Sequence, residues 1–292
     1  MYQILKPKSY ITVVKIPISD LEKIEFIMGK QPKEKILSCF KRLEKKPDFI
    51  VNGGLFNMSN GKTITTTVDE GQLIIDGYGS HFGLKILKDL FFKFDAFIKG
   101  EDIKDYIGAS TTLIIDNKIN IQKPLDNGFM NYRHPRLSFG SNDEYFFMVI
   151  VDGRTKTAKG MTIKELAEFM LSLSCKNTIN EDGGGNLQLE QNNNGVMKLI
   201  NAYTENRAVD NFIGIYLKEI TSSKGIYKVT ASSLNIRFSP SILSKVVGKY
   251  PQNTLVEVIE MKNSFMKTNK GWVSGKYLVK VWGCIYMTRE HK

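Results

Sequence analysis

The 292-residue chain is poor in the residues that most directly announce chemistry. Its three cysteines (Cys39, Cys175, Cys284) lie far apart, with no CxxC and no spacing suited to zinc. An odd number in a chain of this size argues against a disulfide framework, and reduced thiols at packed positions are expected. Histidine is equally scarce: His81, His134 and His291 are the full set, so a multi-histidine metal site is not expected. There is no Walker A motif, HExxH or GxSxG, which leaves nucleotide-triphosphate, zincin and serine-hydrolase readings without support. No apolar run approaches the roughly 18 residues a membrane-spanning helix requires. The opening stretch, MYQILKPKSYITVVKIPIS, is broken by lysines and prolines and lacks the apolar core of a signal peptide. Synthesis in the cytoplasm without a signal peptide is therefore expected, with any export by another route. Acidic residues run short only near the end. Residues 221–292 hold 12 Lys+Arg against 3 Asp+Glu, whereas residues 1–220 hold 29 against 27. The basic excess points to a separate C-terminal module with a polyanionic partner.

What is present reads as a folded chain, 42% apolar and 24% charged, which excludes wholesale disorder. Strand signals run from Tyr10 to Ile18, where Pro17 suggests an edge strand or strand end. Residues 32–46 place Ile36, Leu37, Phe40 and Leu43 at helical spacing, with Pro32 suited to the first turn. Further strands are expected at 48–51, 72–76, 84–88, 91–98, 111–116 and 118–122, the last two joined by a turn at Asp116-Asn117-Lys118. Tyr145 to Val151 (YFFMVIV) is a continuous apolar run, as in a strand covered on both faces. Thr162 and Glu165 spell a capping box before a helix over 163–173, with Ile163, Leu166, Ala167, Met170 and Leu171 on one stripe. Strands at 177–180 and 212–217, with a polar turn at 190–195, close the region. These signals predict an α+β domain with a mixed β-sheet and flanking helices.

Three polar clusters follow expected buried strands: Asn52-Gly53-Gly54, Asp152-Gly153-Arg154 and Glu181-Asp182-Gly183-Gly184-Gly185. A lone GG or DG is usually a turn. Three such clusters at strand ends, where α/β sheets place ligands, are expected to converge on one cleft. Consecutive glycines expose backbone N–H groups and let a ligand approach. Arg133-His134-Pro135-Arg136 adds two arginines around a histidine, a pattern able to grip a phosphate or carboxylate, or else a solvated basic turn.

The ordered series NGGLF (52–56), RHPRLSFG (133–140), VDGR (151–154), GMTIKELAEFM (160–170), NEDGGGNLQL (180–189) and NRAVDN (206–211) resembles the phosphodiester glycosidase family over roughly residues 45–217. That family is related to the enzyme that uncovers mannose 6-phosphate by removing N-acetylglucosamine from a phosphodiester. Against the family's usual NLDGGGSS, Glu181 replaces Leu, and Asn186 and Leu187 replace the serines, which shifts specificity if relatives use a serine hydroxyl. VTASSLNIRFSPS (229–241), VVGKYPQNTLVEVIE (246–260) and KGWVSGKYL (270–278) resemble a bacterial SH3 domain, a small all-β barrel. The resemblance implies a cell-wall-targeting module.

Together these readings give a phosphodiester glycosidase-like domain at 1–219, a linker at 220–225, an SH3-like wall-binding domain at 226–280 and a tail at 281–292. The expected activity is hydrolysis of a sugar-1-phosphodiester by a phage- or prophage-lysin-like protein (an endolysin), acting at the bacterial wall after release. Asp152 and Asp182 are the expected carboxylates, because glycoside cleavage commonly divides its work between two. Asp152 has a second reading, as structural partner of an arginine. Arg133, His134, Arg136 and Arg154 would bind phosphate, and Asn52, Gly53, Gly54, Gly183 and Gly184 would hold sugar hydroxyls or phosphate oxygens. The expected partners are a sugar-phosphate substrate and a wall polymer, peptidoglycan or teichoic acid, with no nucleic acid and no membrane span. No cofactor is expected, and a divalent-ion requirement is left open. The competing reading is a wall- or glycan-binding protein without turnover. An amidase or peptidase is disfavoured by the missing histidine and cysteine chemistry.

Overall fold

The computed structural model describes residues 2–30, 32–77, 82–89, 91–122, 131–193, 195–202, 205–218, 224–262 and 264–281. His81, His291, Cys284, residues 220–223 of the expected linker, and 282–292 of the expected tail lie outside the described residues. The chain divides into two compact units, the first holding residues 2–218 and the second the described residues from 224 to 281.

The first unit is built from three sheets. The largest contains β1 (Gln3–Lys8), β2 (Ile11–Pro17), β10 (Thr111–Ile115), β11 (Lys118–Ile119), β12 (Arg136–Ser141), β13 (Tyr145–Val151) and β14 (Asn177–Asn180), in the order β1-β2-β13-β12-β14-β10-β11. A second orders β3 (Leu21–Met28), β4 (Phe49–Asn52), β15 (Leu189–Asn193), β16 (Val196–Leu199) and β17 (Asn211–Leu217) as β16-β15-β4-β17-β3. The third orders β5 (Thr67–Asp69), β6 (Gln72–Ile75), β7 (Phe82–Leu87), β8 (Phe92–Ala96) and β9 (Ile103–Gly108) as β6-β5-β9-β7-β8. Among the described residues there are two α-helices, α1 (Ile36–Arg42) and α2 (Ile163–Ser172).

This corrects the expected α+β class with a mixed sheet and flanking helices. Strand accounts for 51% of the described residues and helix for 9%, and the sheets are antiparallel. The physical reason is visible in β13. Phe146, Met148 and Ile150 enter the core shared by the three sheets, while Phe147, Val149 and Val151 pack with Ile163, Leu166, Ala167 and Met170 of α2. A continuous apolar run reports burial on both faces and is silent about neighbour direction, and both neighbours, β2 and β12, run antiparallel.

Local signals hold where their causes are local. Thr162 caps α2, its hydroxyl accepting from the Glu165 N–H at 3.1 Å while Glu165 accepts from the Thr162 N–H at 2.9 Å. Asp116 and Asn117 both take positive φ, 48° and 63°, as a two-residue hairpin turn demands, and set Ile115 opposite Lys118. The helix expected over 32–46 shortens to α1 because Lys35 is still extended, and Leu37 faces solvent while Ile36, Cys39 and Phe40 are buried. Pro17 ends β2, which lies between β1 and β13 rather than at an edge.

The second unit is all-β. A three-stranded sheet orders β18 (Gly225–Val229), β21 (Leu255–Val258) and β25 (Leu278–Lys280) as β21-β18-β25. A five-stranded sheet orders β19 (Ser233–Arg237), β20 (Val246–Pro251), β22 (Glu260–Lys262), β23 (Phe265–Thr268) and β24 (Gly271–Ser274) as β20-β19-β24-β23-β22. The strands form two sheets and do not close into one continuous ladder. Tyr227, Val229, Leu234, Ile236, Tyr250, Val256, Val258, Val273 and Leu278 fill its core, and Trp272 is also buried.

Candidate active site

The ends of β4 and β14, the start of β12 and the chain leaving β13 meet in the first unit. The Asn52 amide ties two of them, donating to the Asp182 carbonyl at 2.9 Å and accepting from the Gln188 N–H at 3.1 Å. The Glu181 N–H donates to the Leu137 carbonyl at 2.9 Å, which seats the acidic pair beside β12. The glycines serve close approach. A side chain at Gly53 would lie 2.2 Å from Asn211 Oδ1, and one at Gly183 would lie 2.1 Å from the Pro135 carbonyl oxygen. Their amides look inward. Gly53 N–H donates to the Asn211 carbonyl at 3.0 Å, Gly54 N–H to Asn211 Oδ1 at 2.7 Å, and Gly184 N–H to the Pro135 carbonyl at 3.3 Å. Three of the four amides expected to cradle a ligand thus hold the strand ends together.

Asp182 carries the distinctive electrostatics. Burial pushes its carboxyl up to about 7, against the opposing pull of the Asn186 amide, which donates to Oδ2 at 3.0 Å, and of the Arg207 and Arg154 charges. Such a group exchanges its proton near neutrality. Its neighbour Glu181 is fully buried, and neither carboxyl oxygen has a hydrogen-bond partner among the described residues. Burial, and then the charge of Asp182, raise Glu181 well above the usual carboxylate range, so its charged form is disfavoured.

Arg154 Nη2 lies 3.2 Å from His134 Nδ1. A guanidinium can only donate, so Nδ1 accepts and the neutral imidazole carries its proton on Nε2. Burial and the charges of Arg136 and Arg154 lower the His134 pKa, in keeping with that tautomer. The other two arginines of the expected clamp turn elsewhere. Arg133 is ion-paired with Glu165 and donates to the Gly160 carbonyl at 3.3 Å. Arg136 is fully buried and donates through Nε to the Met161 carbonyl at 2.9 Å and through Nη2 to the Tyr132 carbonyl at 3.0 Å. Both fasten the 132–136 segment to the chain entering α2. Asp152 is likewise engaged: Oδ1 accepts from the Asn201 amide at 3.0 Å and Oδ2 from the Ala202 N–H at 2.9 Å.

The structure therefore brings Asp182, Gly184, His134 and Arg154 together, with Arg207 near enough to bias Asp182. Arg207, Glu205 and Asn186 are the site residues that sequence reasoning did not select. Arg207 Nε pairs with Glu205 at 3.0 Å, and the Glu205 N–H donates to the Gly185 carbonyl at 2.7 Å, which folds the 205–207 segment over the glycine run. The signal for Arg207 was present in NRAVDN. Among the described residues, no group of three or more His, Cys, Asp or Glu is placed to hold a metal ion.

Known proteins resemble this chain in sequence family and in fold. Residues 45–216 match the model of the phosphodiester glycosidase family, and residues 232–279 match that of the bacterial SH3 domain. No curated protein matches the sequence. Among solved structures, the fold is similar to the catalytic domain of zebrafish N-acetylglucosamine-1-phosphodiester alpha-N-acetylglucosaminidase, auto-inhibited by its pro-peptide, at a TM-score of 0.59 and 19% identity over 74% of this chain and 81% of that one. A hypothetical protein from Synechocystis is similar at a TM-score of 0.52 and 12% identity, over 74% of this chain and 61% of that one. With its family model spanning more than half of the sequence, the chain belongs to the phosphodiester glycosidase family and carries a bacterial SH3 domain after it.

Proposed function

We propose that the first unit hydrolyses the glycosidic C1–O bond of a sugar-1-phosphodiester, and that the second holds it on an anionic bacterial wall polymer, in a lysin-like role. The observation that carries the reading is Asp182, a carboxyl that exchanges its proton near pH 7 beside Arg154 and Arg207. In this scheme the ionised Asp182 takes a proton from water as the water oxygen attacks C1. The C1–O bond breaks, and its electron pair leaves with the phosphate. That leaving group is weakly basic, so the demand for a strong general acid is small. The new charge on the phosphate is met by Arg154 and Arg207. Asp152 acts one step back, fixing Asn201 and Ala202 on the chain that leads to Glu205 and Arg207. Arg133 and Arg136 set the height of His134 by anchoring its loop.

A second reading, glycan binding without turnover, draws on Leu187, which is buried in the core and offers no hydroxyl. Incubating the protein with a panel of sugar-1-phosphate methyl esters separates the two. Release of free reducing sugar by the wild type, and none by Asp182→Ala, supports hydrolysis. Binding of the esters without release supports the alternative. For the second unit, the basic excess supports attraction to phosphate-bearing polymers, weakened by salt.

A further inference from the structure

The link between β19 and β20 in the second unit exposes side chains that a soluble all-β module normally buries. Phe238 is 77% exposed, Ile242 73% and Leu243 92%, with Val246 and Val247 also exposed where β20 begins. The loop is nonetheless well built. Phe238 N–H donates to the Lys245 carbonyl at 3.0 Å, Ser241 N–H to the Ser239 carbonyl at 2.8 Å, and Ser244 N–H to the Ser241 carbonyl at 3.1 Å. Ser239 N–H donates to Ser244 Oγ at 2.8 Å, and Leu243 N–H to Ser241 Oγ at 3.2 Å. Pro240 has no N–H to satisfy, and Arg237 Nη1 braces the Ser244 carbonyl at 2.8 Å. The apolar tips therefore point outward by construction. The N–H groups of Phe238 and Leu243 are already satisfied within the loop, which lowers the cost of bringing these tips into a medium with little water.

The surroundings are strongly basic. Residues 224–281 contain ten Lys/Arg and two Asp/Glu, and Arg237, Lys245 and Lys249 flank the tips. Of the two acids, Glu260 is paired with Lys267. A partner must answer both features. An anionic polyol or glycan polymer answers the charge but leaves three large apolar tips in water. An uncharged apolar groove answers the tips but not the charge. A bilayer with acidic headgroups answers both, because its interface accepts apolar side chains while its surface potential attracts lysine and arginine.

We infer that the 238–247 loop of the SH3 unit is a membrane-docking element that seats Phe238, Ile242 and Leu243 in the interface of an anionic lipid bilayer. This goes beyond the wall-binding role proposed above and is independent of catalysis.

The test uses the full chain and vesicles of phosphatidylglycerol and phosphatidylcholine in equal parts, with pure phosphatidylcholine vesicles and purified walls in parallel. The wild type is expected to sediment with the acidic vesicles and much less with the neutral ones. Ile242→Ser combined with Leu243→Ser is expected to weaken the acidic-vesicle binding by about tenfold or more, since two large apolar side chains are lost from the interface. Leu255→Ser, an exposed apolar change outside the loop, is expected to leave it unchanged. Side chains so exposed carry little of the fold, and an unchanged melting profile verifies that. No binding of the wild type to acidic vesicles, or equal binding by the double variant, overturns the proposal. So does loop-dependent binding to walls with none to vesicles, which would make the partner a wall component.

Discussion

Replacing Asp182 by Asn should move activity and stability in opposite directions. The side chain keeps its shape and can still accept from the Asn186 amide, which donates to Oδ2 at 3.0 Å in the wild type. What is lost is the titration. Burial raises Asp182 from its ordinary value of 3.8 to about 7. A group raised on folding binds its proton more tightly in the native state. Its contribution is therefore complete below pH 4 and disappears as the pH rises through 7. Each pKa unit is worth about 1.4 kcal/mol, so the ionised carboxylate costs the fold at most about 4 kcal/mol at pH 8, and roughly 2–4 once the partial exposure of Asp182 is allowed for. Asp182→Asn should recover that amount at pH 8, gain little at pH 4, and reduce turnover by about 10²–10⁴-fold, as loss of a general acid–base group does. Both tryptophans, Trp272 and Trp282, lie in the C-terminal quarter of the chain, so their fluorescence follows the wrong unit. Far-ultraviolet circular dichroism or calorimetry at pH 4.5 and pH 8 follows the first. Equal stability of variant and wild type at pH 8, or a loss, would refute the electrostatic reasoning.

Other substitutions should sort the remaining polar groups. Asp152→Asn disturbs a carboxylate that accepts from both Asn201 and Ala202, and should destabilise the first unit by about 1–3 kcal/mol at pH 7, measured by urea unfolding. Arg136→Lys cannot reach both the Met161 and Tyr132 carbonyls with one planar group, and should lower the melting temperature together with turnover. Glu181→Leu removes a buried carboxyl with no hydrogen-bond partner among the described residues, and should stabilise the fold by about 1–3 kcal/mol, more at pH 8 than at pH 5 because the native acid resists ionisation. A loss of stability in Glu181→Leu would mean that the carboxyl has a partner in solution.

The sequence was most legible where one residue's chemistry settles one piece of backbone. The Thr162–Glu165 box and the Asp116–Asn117 turn are of this kind. It was less legible where the outcome depends on distant partners. The YFFMVIV run of β13 announced two covered faces, but a neighbour's direction is not written in the strand itself. β9 (Ile103–Gly108) carries Lys104 and Asp105 and shows no clean alternation, so a strand with neighbours on both sides in its sheet went unseen. The site divides in the same way. Strand ends with glycines located Asp182 and Arg154. The pair around His134 looked like an anion clamp, and nothing in RHPR tells that Arg133 turns to Glu165 or Arg136 to two carbonyls. Arg207 belongs to irregular chain, where neither periodicity nor a strand end draws attention to it.

The central claim is that water attacks carbon, not phosphorus. Hydrolysis of a sugar-1-phosphate methyl ester in ¹⁸O-labelled water, read by mass spectrometry of both products, tests it most directly. The account predicts label at C1 of the released sugar, unlabelled methyl phosphate, and loss of both products in Asp182→Asn. Label in the phosphate would mean cleavage of a P–O bond, and would contradict it.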